Sequence, residues 1–152
     1  MRIIQGVENL QQLVGQELGV GEWFLIDQQR INAFADVTED HQWIHLDAER
    51  ARRETPWGTT IAHGFLTLSM LPALTQKIYR VEGVSARINY GLGSVRFLAP
   101  VPADGRIRAR VTLTNLEEQS EGRYKAVFAT TIELEGSEKP ACVAESIALL
   151  ML

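Results

Sequence analysis

The sequence predicts an α+β domain in which an antiparallel sheet curls around a buried helix. Two long segments in the C-terminal half alternate apolar and polar residues with the period of two that marks half-buried strands. The segment from Gly64 to Tyr79, "GFLTLSMLPALTQKIY", is apolar on nearly every side, so a helix there must be wrapped by something. The helical section precedes the strands, an order that suits a sheet packed around helices.

Taken in order, "EWFLI" (Glu22 to Ile26) is a short apolar run suited to a strand, and Asp27 follows as an N-cap. Ile26 before that cap and Ile31 after it form a hydrophobic staple, and Phe34 and Ala35 extend the apolar stripe, which predicts a helix from Gln28 to Val37. A second helix is expected from Asp47 to Glu54, ended by Pro56 and Gly58. The apolar helix opens at Gly64, and Pro72 inside it should kink or divide it. "RINYGLGSVRFLAPV" reads as a strand bent or bulged at Gly91 and Gly93. In "RIRARVTL", Ile107, Ala109, Val111 and Leu113 share one face and Arg106, Arg108 and Arg110 the other. In "YKAVFATTIELE", Tyr124, Ala126, Phe128, Ile132 and Leu134 share a face, and "CVAESIALL" reads as a more buried strand.

A length of 152 residues is expected to form one domain, 1–152, with one sizeable core. The composition, 45% hydrophobic and 22% charged, is that of an ordinary globular protein. A net charge of −4 gives no basic field for phosphate backbones and argues against a nucleic-acid partner. The single cysteine, Cys142, has no intrachain partner, and no window has the ~20 apolar residues of a membrane span. The expectation is a cytoplasmic protein without a membrane partner.

Chemistry concentrates in "TEDHQWIH", Thr38 to His45, which holds two of the three histidines. On a regular helix Asp40 and His45 would point about 140° apart, and on a strand they would face opposite sides. They converge only across a turn. If they do, a carboxylate and an imidazole facing one water make a general acid–base pair. A second reading takes His41 and His45, spaced H-x3-H, as metal ligands with Asp36 as a third. A third leaves the segment a solvated surface turn. In "TTIAHGF", Gly64 opens the apolar helix, where free N–H groups and the helix dipole suit a developing oxyanion. The plainer alternative is that Thr59 or Thr60 caps the helix and His63 is a satisfied structural histidine. Arg50, Arg52 and Arg53 could clamp phosphates but fit better a solvated helix face paired with Asp47, Glu49 and Glu54, and Arg96 in "SVRF" calls for a partner if partly buried.

"FADVTEDHQWIH", "TIAHGFLTLS" and "INYGLGSVRFLAPV" together resemble three ordered blocks of the MaoC-like (R)-specific enoyl-CoA hydratases, over essentially the whole chain and most like the medium-chain hydratases of polyhydroxyalkanoate synthesis. The resemblance implies the hot-dog fold, a curved antiparallel sheet around a central helix, paired as a homodimer. It places the family's aspartate, histidine and oxyanion-holding glycine on Asp40, His45 and Gly64. Glu39, Gln42 and Trp43 stand where the family has glycine, asparagine and proline. The implied reaction is hydration of a trans-2-enoyl-CoA to the (R)-3-hydroxyacyl-CoA, with no metal or redox cofactor and with coenzyme A as part of the substrate. Ile44, Ala62, His63, Leu68, Leu71 and Pro72 would then lie against the acyl-CoA thioester. Two alternatives remain, a hot-dog thioesterase and a non-catalytic acyl-CoA binding or signalling module like the nodulation-associated proteins. The absence of Asp and Glu from Gly64 to Arg80 favours hydration over thioester hydrolysis.

Overall fold

The period-two segments become the centre of a six-stranded antiparallel sheet. The computed structural model describes residues 1–152. Its elements run β1 (Arg2–Gln5), α1 (Gly6–Gln11), β2 (Glu17–Val20), β3 (Phe24–Ile26), α2 (Gln28–Thr38), α3 (Trp43–Leu46), α4 (Ala48–Glu54), α5 (Gly64–Ser69), α6 (Leu71–Thr75), β4 (Tyr79–Glu82), β5 (Ala86–Phe97), β6 (Gly105–Ser120), β7 (Arg123–Leu134) and β8 (Cys142–Met151). The sheet order is β2-β6-β7-β8-β5, with β3 also paired to β6. The β7–β8 ladder runs without a register shift from Arg123 opposite Met151 to Ile132 opposite Cys142.

Alternation sorts the two faces of the sheet. Ile107, Ala109, Val111 and Leu113 of β6 and Ala126, Phe128 and Ile132 of β7 are buried, in one core with Leu66, Met70 and Leu74 from the α5–α6 segment. On the other face Arg106 pairs with Glu135, while Arg108 and Arg110 share Glu133 and Arg110 also reaches Glu17. These half-exposed ion pairs contribute little each, and burial of the apolar face supplies the larger driving force.

The helical section follows its sequence signals closely, with one correction. Asp27 accepts a hydrogen bond from the Arg30 N–H, and Asp47 caps α4 through the Arg50 N–H in the same way. Ile26 and Ile31, the staple pair, are both fully buried. The apolar stretch from Gly64 is divided, as Pro72 led one to expect, into two short helices that meet at Met70; the correction is its extent, since helix ends at Thr75 and Tyr79 already belongs to β4. Pro72 sits in the first turn of α6, where its missing N–H costs no helical hydrogen bond. Nor is this section wrapped all round, because Phe65 is 69% exposed.

The N-terminal β1 and α1 have no counterpart among the elements expected from sequence. β1 pairs parallel to β4, and Ile4 and Leu10 reach the core. Elements of four to six residues carry too little periodicity to be read. β5 lies on the sheet edge, with register shifts at Asn89/Gly91 and Leu92/Val95 where the glycines foretold a bulge. Arg96, expected to need a buried partner, is exposed on that edge and donates to the Val95 carbonyl.

Candidate active site

The turn that Asp40 and His45 require is built by one residue in an unusual conformation. α2 ends at Thr38, and Glu39 caps it at φ 60°, ψ 16°, in the left-handed region. The chain then runs irregularly through Asp40 to Gln42 before α3 begins at Trp43. Glycine is the residue that adopts this conformation freely, and glutamate has no short side chain to ease it. Glu39→Gly should therefore stabilise the protein by about 1 kcal/mol, read as a higher denaturant midpoint at unchanged slope.

Across this turn a carboxylate oxygen of Asp40 and one ring nitrogen each of His45 and His63 come within 4.8 Å of one another. Two groups that share one water at ~2.8 Å, with a tetrahedral angle at its oxygen, lie about 4.6 Å apart, so the spacing suits a bridged water. His45 is buried on α3, and its Nδ1–H donates to the Ile61 carbonyl at 2.7 Å. That bond leaves Nε2 as the nitrogen able to accept a proton. Burial holds the His45 pKa below the ordinary imidazole value, and His63 adds to the depression. The bond to Ile61 and the Asp40 carboxylate oppose it. His45 is accordingly a neutral imidazole at neutral pH.

The metal reading based on spacing is not what the fold assembles. His41 lies on the surface, 3.0 Å from Asp36, while His45 faces inward to Ile61. Asp40, His45 and His63 also fit an ion poorly. The two imidazole rings are stacked, with centroids 3.7 Å apart and planes 23° from parallel. Ring lone pairs lie in the ring planes, so these point side by side and do not converge on an ion ~2.0–2.1 Å from both.

Residues with no motif of their own hold this arrangement. Gln28, in the first turn of α2, donates to the His45 carbonyl at 2.8 Å and accepts from the buried Thr60 hydroxyl. Thr60 thus serves the site's framework and does not cap α5, whose N-cap is His63 without a side-chain bond. The Ile61 N–H donates to the Ile44 carbonyl and the Ala62 N–H to the Val101 carbonyl, which ties the loop before Gly64 to α3 and to the segment after β5. Arg50 covers Trp43 at 3.9 Å from the ring centre and pairs with Glu54, which joins α3 to α4.

Gly64 is the first residue of α5, and its N–H has no acceptor within the helix. The helix is too short for a large dipole, so the donor itself is what the position offers. A Cβ there would lie 3.1 Å from the Phe97 ring, so glycine keeps the approach open. One turn on, Leu68 begins a cavity of about 680 Å³ between α5, α6 and the sheet, lined also by Leu71, Pro72, Leu92, Phe128 and Ile147. Of the six residues expected along the substrate, Leu68, Leu71 and Pro72 line this cavity. Ile44, Ala62 and His63 lie outside its lining, on the side of the Asp40–His45 turn, where they make bonds that hold the turn.

Comparison with known proteins identifies the family of the chain. Residues 9–136 match the MaoC like domain family. The chain is 52% identical over 147 residues to the 3-hydroxyacyl-thioester dehydratase Z of Mycobacterium tuberculosis (strain ATCC 25618 / H37Rv), covering 97% of both chains. It is 41% identical over 138 residues to Nodulation protein N of Rhizobium leguminosarum bv. viciae, covering 90% of this chain and 86% of that one. The solved structure of the (R)-hydratase from A. caviae involved in PHA biosynthesis superposes with a TM-score of 0.66 at 28% identity, covering 85% of this chain and 94% of that chain. With the curved sheet, the Asp40–His45 turn and the glycine at α5 in place, the chain belongs to the MaoC-like dehydratase family.

Proposed function

We propose that the protein catalyses the reversible (R)-specific hydration of a trans-2-enoyl-CoA to the (R)-3-hydroxyacyl-CoA. The observation that carries this reading is the convergence of Asp40 with a buried, neutral His45 within 4.8 Å, a span that one water can bridge. The water oxygen bonds to the β-carbon of the conjugated thioester as one of its protons passes to the Asp40–His45 pair. The carbon–carbon double bond becomes single, and the pair returns a proton to the α-carbon. In between, charge gathers on the thioester oxygen, which the Gly64 N–H is placed to stabilise. Proton transfer and one hydrogen-bond donor suffice, so no metal or redox cofactor enters, and coenzyme A comes with the substrate.

The cavity beyond Leu68 accommodates the acyl chain, its volume being within the usual ~300–1,000 Å³ range of ligand pockets. The edge strand β5 exposes Ile88, Tyr90, Leu92 and Phe97, an apolar edge of the kind that proteins cover, and a second copy of the chain is the proposed cover. Thioester hydrolysis is disfavoured because α5 and α6 carry no carboxylate. A purely binding role would leave the paired Asp40 and His45 without a use. The likeness to the A. caviae hydratase supports supply of (R)-3-hydroxyacyl units for polyhydroxyalkanoate synthesis as one use of the product.

Incubation with crotonyl-CoA and a medium-chain enoyl-CoA, followed by chiral analysis, tests the proposal. The (R)-3-hydroxyacyl-CoA is expected. Free CoA would identify a thioesterase, binding without turnover a module, and (S)-product another stereochemical course. The depressed His45 pKa also sets a pH dependence. The required neutral base persists below the ordinary value, so kcat/KM should be flat near pH 7 and fall only below about pH 6.5. An acid limb centred above pH 7 would contradict His45 as the base.

A further inference from the structure

His63 takes no part in that reaction scheme, yet the site is built around it. It is 3% exposed, and its Nε2 lies 3.0 Å from the main-chain carbonyl oxygen of Asp40. A carbonyl can only accept, so Nε2 carries the proton and donates it. The His63 ring stacks on His45, and Phe34 of α2 lies against it at 5.0 Å, tilted 56°. Nδ1 is buried with no hydrogen-bond partner.

These contacts reach both reactive residues. Asp40 is otherwise anchored only locally, by the Gln42 N–H at a long 3.4 Å from its carboxylate. Of the bonds made by Asp40 itself, the one from His63 is the one that reaches across the fold. His45 is fixed in its tautomer by Ile61, but a single bond at Nδ1 leaves the ring free to pivot, and a stacked neighbour removes that freedom. A side chain present only to fill space would be better served by phenylalanine or leucine, which bury no unpaired nitrogen.

We propose that His63 is the positioning residue of the reactive pair, holding the Asp40 main chain through its Nε2–H and the plane of the His45 ring by stacking. The proposal rests on the hydratase reading for its kinetic effect, while its structural effect can be measured without substrate.

Two substitutions separate the contacts. His63→Phe keeps a stacked ring and deletes the donor, and His63→Gln keeps an N–H donor and deletes the ring. With crotonyl-CoA, His63→Phe should lower kcat roughly 10- to 100-fold with KM near that of the unmodified protein, the size of effect a displacement of about 1 Å produces. His63→Gln should recover a large part of that loss, because it restores the anchor on Asp40.

The second measurement is the NMR titration of His45 without substrate. The titratable groups that act on it are His63, from the loop before α5, and Asp40, from the turn; α2 contributes the apolar Phe34. His63→Phe keeps the burial and removes the neighbouring imidazole, so the His45 midpoint should rise. Unchanged kcat and an unchanged His45 midpoint in His63→Phe would overturn the proposal. So would losses that merely track the folded fraction in both variants. If the unmodified protein hydrates no enoyl-CoA while the His45 midpoint still moves, the hydratase reading fails and the placement of His63 stands.

Discussion

Asp40→Asn is expected to lower kcat for enoyl-CoA hydration by ~10²–10⁴, the usual contribution of a positioned acid–base group, and to leave the melting temperature nearly unchanged. The amide oxygen of the substituted side chain would still accept the Gln42 N–H, and the main-chain carbonyl at this position would keep its bond from His63. The turn therefore survives while the proton acceptor is lost. His45→Gln should cost kcat on the same scale. A glutamine amide can donate to the Ile61 carbonyl as Nδ1–H does, so the loss isolates proton transfer from positioning. The double variant should be hardly worse than either single one, since the two groups act on the same water as a unit. Steady-state kinetics on folded protein, checked by circular dichroism, decide the matter. Full activity in either single variant would remove that residue from the mechanism, and multiplied losses in the double variant would mean that the two act independently.

The same residues show how far the sequence could be read. Asp27, Asp47 and the alternating Ile107-to-Leu113 face carry their signal within a few residues, and each appears where the pattern placed it. The break in the apolar helix was legible from Pro72, but its expected reach to Tyr79 failed because apolarity records burial and not helical geometry. Burial continues past Thr75 through Ile78 and Tyr79, while helical geometry stops. Asp40 and His45 were legible as a pair conditional on a turn. The residue that makes the turn, Glu39 in the left-handed region, belongs to a type that gives no such signal. For Gly64 the helix start supplied only the possibility of an oxyanion donor, and the family resemblance supplied the rest, since an H-G dipeptide says little by itself. The framework was invisible for a simpler reason: Gln28 meets His45 across 17 positions and His63 meets Asp40 across 23, and no local spacing records such contacts.

Gly64→Pro compared with Gly64→Ala should show whether that glycine acts through its N–H or through its lack of a side chain. Gly64 occupies the first helical position, where proline is well accommodated, and His63 before it has φ −57° and ψ 138°, which a residue preceding proline adopts readily. Proline therefore deletes the N–H without breaking α5. Both substitutions place a Cβ about 3.1 Å from the Phe97 ring, but Phe97 is 46% exposed and can shift aside. Alanine keeps the donor and bears only that crowding, so its loss should stay below about tenfold. Proline should lower kcat by roughly 10²–10³, the effect of removing one oxyanion donor. Because the donor acts on charge that exists only in the transition state, kcat and kcat/KM should fall together while KM stays put. Equal losses in the two variants would assign the effect to crowding against Phe97, and a fully active proline variant would show that the thioester oxygen is held elsewhere.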